Sequence, residues 1–293
     1  MHTVKAKSLL TRYNGMNVYR GCQHGCIYCD SRSTCYQFTH PFEDIEVKEN
    51  APELLESILR AKRKKIVIGS GSMADPYQPC EKALLLTRRC LELIDRYGFG
   101  ATVITKSDLV LRDLDLFECI HQKAKSALQM TLTVADDSLS RVLEPNVCTT
   151  TRRYEVLKEF QRSGIPTVVW MTPVLPFLTD TEENIRAILD YCIDAGVKGI
   201  ISFGIGMTLR DGNREYYYRA LDRHFPGLSD RYREKYGNAY EVVSDHHTAL
   251  MRLFHETCER YGILHEPDAC FRFLAEIPEQ THQVSFFEEF SVF

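Results

Sequence analysis

Six short runs of strand character alternate with longer amphipathic stretches along the first 205 residues, and no other feature restricts the fold as much. The runs are Met16 to Tyr19, Ile66 to Gly69, Ala101 to Thr105, Ala127 to Thr133, Thr167 to Thr172 and Val197 to Phe203. Several are rich in Val, Ile and Thr, as strands buried on both faces prefer. Helices are expected over Ala51 to Lys62, with Pro52 in the first turn, and over Glu81 to Tyr97, ending at Gly98. Two more are expected over Thr151 to Ser163 and Thr181 to Ala195, each stopped by a following glycine. Consecutive βα units of this kind wind a parallel sheet, and six are too few to close the usual eight-stranded barrel. The expected architecture is therefore α/β, a partial (β/α)6 TIM-like barrel over residues 1–205, with functional residues gathered at the C-terminal ends of its strands. Beyond it, Arg210 to Phe225, Leu228 to Tyr240 and His246 to Tyr261 are aromatic and charged. Residues 206–293 are expected to form a helical C-terminal extension packed on the barrel.

With 293 residues the chain is long enough to bury a substantial core. Its 36 Lys and Arg against 40 Asp and Glu give a net charge of −4, which excludes a uniformly basic nucleic-acid coat and leaves room for a local basic groove. No run approaches the roughly 18 apolar residues of a membrane-spanning helix. Met1 to Met16 also lacks the apolar stretch of a secretory signal, so a cytoplasmic location without a membrane partner is expected. The eleven cysteines, odd in number and irregularly spaced, then point to metal or redox chemistry and not to a disulfide framework.

Three of them, Cys22, Cys26 and Cys29, stand at C-x3-C-x2-C spacing directly after the first strand. Three thiolates on one loop, with Gly21 and Gly25 letting the backbone curl, can hold three irons of a [4Fe-4S] cluster and leave the fourth iron open. A zinc site is the competing reading: the same thiols with His24 or Cys35 would make a non-catalytic, metal-binding interaction module. The other cysteines are scattered singly and read as buried apolar thiols.

The loop, with Tyr28 before its third cysteine, resembles that of the radical S-adenosylmethionine (SAM) superfamily. Further blocks resemble its spore photoproduct lyase-like branch: Gly69 to Pro79, Thr105-Lys106-Ser107, Arg112-Asp113, Glu144-Pro145-Asn146 and Pro173 to Pro176. Together they cover residues from about 15 to 205. The resemblance implies that Cys22, Cys26 and Cys29 ligate a [4Fe-4S] cluster whose open iron chelates SAM. Reductive cleavage of SAM then releases methionine and a 5′-deoxyadenosyl radical that abstracts hydrogen from a substrate. It implies SAM contacts from Tyr28, from the small-residue turn Gly69, Ser70, Gly71 and Ser72, from Lys106 at a strand end, and from the hydroxyls of Thr131 and Thr133. It also implies an electron donor such as flavodoxin or ferredoxin.

Spore photoproduct lyases that use a cysteine as hydrogen donor carry it at the end of the second strand, where Ser70 to Asp75 contains none. The nearest thiol is Cys80; it, Tyr77 and Tyr19 are the remaining candidates for a hydrogen relay. Damaged or modified nucleic acid, DNA or RNA, is the substrate class the resemblance favours, and a protein, peptide or small molecule is the alternative. Arg210, Arg214 and Arg219, interleaved with Tyr216, Tyr217 and Tyr218, have the composition of a phosphate- and base-binding surface. A second basic group, Arg60 to Lys65, is expected at the opposite end of the barrel. Near the terminus, Gln283-Val284-Ser285-Phe286-Phe287 resembles the peptide by which bacterial repair proteins dock on the sliding clamp.

Overall fold

A computed structural model describes residues 1–277. Its main sheet has six parallel strands in the order β2 (Gly15–Met16), β5 (Val67–Ser70), β6 (Gly100–Thr105), β7 (Ser126–Thr131), β8 (Thr167–Trp170) and β9 (Gly199–Ile201). Sequential neighbours joined by crossovers are what repeated βα units produce. A small sheet of β1 (His2–Val4), β4 (Glu46–Lys48) and β3 (Tyr19–Arg20) stands beside it, and β10 (Gly206–Thr208) pairs antiparallel with β11 (Glu241–Val243). The helices of the barrel region are α1 (Ala51–Ala61), α2 (Glu81–Leu84), α3 (Leu86–Arg96), α4 (Leu114–Lys123), α5 (Asp137–Leu143), α6 (Thr150–Arg162) and α7 (Glu182–Asp194). After the sixth barrel strand come α8 (Asn213–His224), α9 (Leu228–Tyr236), α10 (His247–Tyr261) and α11 (Pro267–Ala275). All six residues of β7 are buried, as a central strand covered on both faces requires.

Three elements depart from the sequence expectation. The first run divides: Gly15 and Met16 pair with Gly69 and Ser70, whereas Tyr19 and Arg20 leave that sheet and pair with β4. The helix expected over Glu81 to Tyr97 breaks at Leu85, which takes a left-handed conformation at φ 54°. The break brings the Glu81 carboxylate under the start of α3, where it accepts the N–H groups of Thr87 at 3.0 Å and Arg88 at 3.4 Å and satisfies two orphan donors. The region after residue 206 is not purely helical, because β10 and β11 are set among its helices.

α11 had no counterpart in the sequence reading, and it decides the interior of the barrel. Ala127, Val168 and Ile201 point inward from three strands, and Cys270 and Leu274 of α11 cover them in one apolar cluster. Gly199 lets the helix approach: a Cβ there would lie 3.0 Å from Cys270 Sγ and 3.1 Å from Leu264 O. The lower half of the incomplete barrel is thus filled by a helix, and the upper half stays open. Gly199→Val should push α11 out of its seat, which limited proteolysis would detect as new cleavage between residues 262 and 277 together with a lower melting temperature.

Candidate active site

The loop from Cys22 to Cys29 is shaped by two glycines with positive φ, Gly21 at 87° and Gly25 at 71°. Both are also tight: a Cβ on Gly21 would run into the Phe42 carbonyl, and one on Gly25 would lie 3.2 Å from Asn146 Nδ2. Cys22 and Cys26 are buried and Cys29 half-buried, and all three line a cavity of about 820 Å³ at the C-terminal ends of the barrel strands. The same cavity is lined by Tyr28, Gly69, Ser70, Gly71, Ser72, Lys106 and Thr131, so most of the residues expected to touch SAM converge there.

Two buried carboxylates hold the loop. Asp75 accepts Thr105 Oγ1 at 2.7 Å and the N–H groups of Tyr77 and Lys106, both at 2.8 Å. Asp75 Oδ2, the oxygen that accepts Lys106 N–H, also lies 3.3 Å from His24 Nδ1, within the thiol loop itself. Burial opposes a charge on His24, but Asp75 and the Cys22 sulfur outweigh it and lift the imidazole to about 10. Burial likewise pushes the Cys22 thiol up, but the positive His24 outweighs it and leaves Cys22 below the ordinary thiol range. On the other side, Glu144 accepts the Tyr28 hydroxyl and pairs with Arg153, both carboxylate and guanidinium being fully buried. Arg153 also donates to the carbonyls of Thr131 and Cys148. The adjoining Asn146 donates to Gln23 O at 2.9 Å from its side chain and to His24 O at 3.1 Å from its backbone.

Gln78 adds a third brace, donating to Gly21 O at 3.3 Å and accepting Gln23 N–H at 3.0 Å. The block from Asp75 to Glu81 is therefore a buttress for the thiol loop as well as part of the cavity wall. Tyr77 and Cys80 belong to that buttress. The Tyr77 hydroxyl donates to Asp113 at 3.0 Å, and burial followed by the Asp113 charge holds the phenol far above its usual range. Burial and Glu81 push the Cys80 thiol up to about 12. Neither lines the cavity, and Tyr19 is buried against Glu81, so the structure places all three candidates for the hydrogen relay behind the cavity wall, where they brace the thiol loop. Thr133 also departs from expectation. β7 ends at Thr131, and the Thr133 hydroxyl is buried outside the cavity, with no partner among the described residues.

Cys35 is exposed, takes a hydrogen bond from Arg210 at 3.3 Å, and does not line the cavity that Cys22, Cys26 and Cys29 share. The Arg and Tyr stretch is mostly structural. Arg214 donates to the carbonyls of Leu209, Gly237, Asn238 and Ala239, Tyr217 is buried against Tyr232, and Arg210 faces Asp30 and Tyr240. Arg219 is exposed, whereas Arg210 and Arg214 are half-buried. Gln283 to Phe287 lies outside the described residues.

The family model of the Radical SAM superfamily matches residues 16–192, more than half of the chain. This chain belongs to the radical SAM superfamily. It is 32% identical over 239 residues to an uncharacterized protein of Mycobacterium tuberculosis, covering 79% of this chain and 69% of the relative. It is 31% identical over 246 residues to an uncharacterized protein of Methanocaldococcus jannaschii, covering 82% and 83%. Its fold is similar to that of spore photoproduct lyase. One mutant of that enzyme superposes with a TM-score of 0.62 at 13% identity, covering 90% of this chain and 80% of the other. Another, solved with AdoMet and dinucleoside spore photoproduct, gives 0.61 at 14%, covering 89% and 77%.

Radical SAM proteins use a [4Fe-4S] cluster and SAM, and the side chains here fit both. Three thiols on one curled loop are the donor set of a cluster with one open iron. Ser70 Oγ is buried on the cavity wall and has no hydrogen-bond partner among the described residues, an orphan that a ligand's polar group would satisfy. Burial opposes the Lys106 charge, but Cys26 and Glu144 outweigh it, so an ammonium is held at the cavity edge, where a carboxylate can pair with it. Gly71, at φ 102°, brings its backbone against Ile104 O so closely that any Cβ would overlap it.

Two predictions follow from the braces. Asp75→Asn removes the charge facing His24, and iron per chain after anaerobic reconstitution should fall well below the parent value. Arg153→Met leaves Glu144 buried and unpaired and should cost about 3–5 kcal/mol in urea unfolding. Arg153→Met with Glu144→Leu should recover most of that loss.

Proposed function

We propose that this protein is a radical SAM enzyme that abstracts hydrogen from a nucleic-acid substrate held in the 820 Å³ cavity. The observation that carries it is the convergence of three loop thiols, the unpartnered Ser70 hydroxyl and the Lys106 ammonium on one cavity wall. Cys22, Cys26 and Cys29 would hold the cluster. Gly69 to Ser72, Lys106, Thr131 and Tyr28 would hold SAM. When bound, the reduced cluster and SAM supply a 5′-deoxyadenosyl radical. The chain's own work is to orient SAM, exclude water and keep one substrate C–H bond within reach. Lys106 would pair with the SAM carboxylate, and the short turn at Gly71 would let backbone groups approach the methionine end. Glu144 fixes the Tyr28 ring, and Lys106 Nζ lies 5.8 Å from its centroid.

Residues 1–205 form the catalytic core in this proposal. The described residues 206–277 close it, with β10, β11, His247 and α11 contributing to the cavity wall. The electron comes from an external one-electron donor such as flavodoxin or ferredoxin. Nucleic acid is favoured by the likeness to spore photoproduct lyase, one structure of which contains a dinucleoside lesion. Among the described residues no helix is long and apolar enough to cross a membrane.

Anaerobically reconstituted protein should absorb near 400 nm before reduction and should release 5′-deoxyadenosine once dithionite and SAM are added, and Cys26→Ala should lose both. Faster release with ultraviolet-irradiated DNA than with undamaged DNA would support lesion chemistry. A colourless, zinc-loaded protein that leaves SAM intact would overturn the proposal.

A further inference from the structure

Three aromatic rings stand together on the cavity wall away from the thiol loop: Trp170 at the end of β8, Phe203 just beyond β9, and Phe271 on α11. Trp170 lies 6.0 Å from Phe203 and 5.9 Å from Phe271 between ring centroids, and the two phenyl rings lie 6.5 Å apart, inclined by only 27°. Large apolar side chains inside a well-packed protein are normally covered, yet Phe203 is 63% exposed and Phe271 39% exposed. Their open surface faces the same cavity as the three thiols.

A polar group is fixed at the edge of this platform. Gln129, on the neighbouring strand β7, is buried, and its Oε1 accepts the Trp170 indole N–H at 2.8 Å. An indole N–H can only donate, so the oxygen must face it and the amide cannot turn over. The Gln129 NH2 is left as the free end of a locked amide on the cavity wall, and among the described residues it donates to none.

We infer that Trp170, Phe203, Phe271 and Gln129 form a nucleobase subsite in which the rings stack on the base and the Gln129 amide donates to a ring carbonyl or ring nitrogen. The platform alone would also suit a phenyl side chain. A phenyl ring, however, offers no acceptor to the buried amide, whereas every nucleobase combines a stacking face with acceptors on its edge. A mostly apolar cavity with a few fixed polar groups is also the usual composition of a specific small-ring site. The inference rests on the proposed function only in taking this cavity as the substrate site.

Trp170 is the chain's single tryptophan, so its emission reports on this platform directly. The test is an anaerobic titration of the cluster-loaded, SAM-saturated protein with the dinucleotide thymidylyl-thymidine, read by tryptophan fluorescence. Saturable quenching is expected. Phe203→Ala and Phe271→Ala should each raise the half-saturating concentration roughly tenfold or more, the scale of one lost base-stacking contact. Gln129→Leu should weaken binding in the same direction, and Phe203→Tyr should restore it, which separates lost stacking from lost folding.

Three results would overturn the inference. One is no response to the dinucleotide together with quenching by N-acetylphenylalanine amide, which would make the platform a peptide site. A second is that Phe203→Ala weakens SAM and leaves the dinucleotide unaffected, which would assign the rings to the SAM adenine. The third is dinucleotide affinity unchanged in both alanine variants. The measurement needs no turnover: saturable binding to a protein that leaves SAM intact when reduced would defeat the proposed function and leave the subsite standing.

Discussion

The Asp75 carboxylate is the constraint on which the rest of the site depends. A buried charge is tolerated only when it is paired and fully hydrogen-bonded, and Asp75 meets that requirement by drawing donors from three separate segments. Its own turn supplies Tyr77 N–H, the end of β6 supplies Thr105 and Lys106, and the thiol loop supplies His24. The distance from the thiols to the Lys106 strand end is thereby set by one carboxylate. The pair of Glu144 and Arg153 plays the same part on the opposite side, tying Tyr28 to the end of β7. A loop that must present three sulfurs to one cavity is poorly defined by its own backbone, and these two carboxylates give it a single conformation.

The cavity has a related logic. The six-stranded sheet is open, since β2 and β9 do not pair with each other, so the inward faces of its strands need another element to cover them. α11 does so with Cys270 and Leu274, and its Phe271 projects into the space above. The last described helix therefore both seals the core and shapes the upper chamber. The chamber wall carries the thiols, Ser70 and Lys106 as well as the ring platform of Trp170, Phe203 and Phe271. Such a lining suits a cofactor and a ring-bearing substrate held in one chamber.

Much of this could be read from the sequence. Strand and helix alternation is a local signal, and all six barrel strands were found, with ends displaced by a few residues. The three thiols were legible because they are contiguous, as were Gly69 to Ser72 and Lys106 at strand ends. The roles of Tyr77 and Cys80 were not. Both sit in a segment next to the cavity, and only the turn of the chain at Asp75 and Pro76 carries them behind the wall. Thr131 and Thr133 look equivalent in a strand of period two, but β7 stops between them and the second hydroxyl leaves the barrel.

What the sequence determined by itself is the βα succession and the curled three-thiol loop, because periodicity and glycine-spaced cysteines act over a few residues. What only the tertiary structure decided is which distant side chains share a charge or a cavity. His24 with Asp75, Glu144 with Tyr28, and Trp170 with Phe203 and Phe271 are separated by 33 to 116 positions in the chain. No local preference encodes such pairs. They are selected by the cost of burying charge unpaired and by the need to fill an incomplete barrel, and both apply only once the sheet has formed.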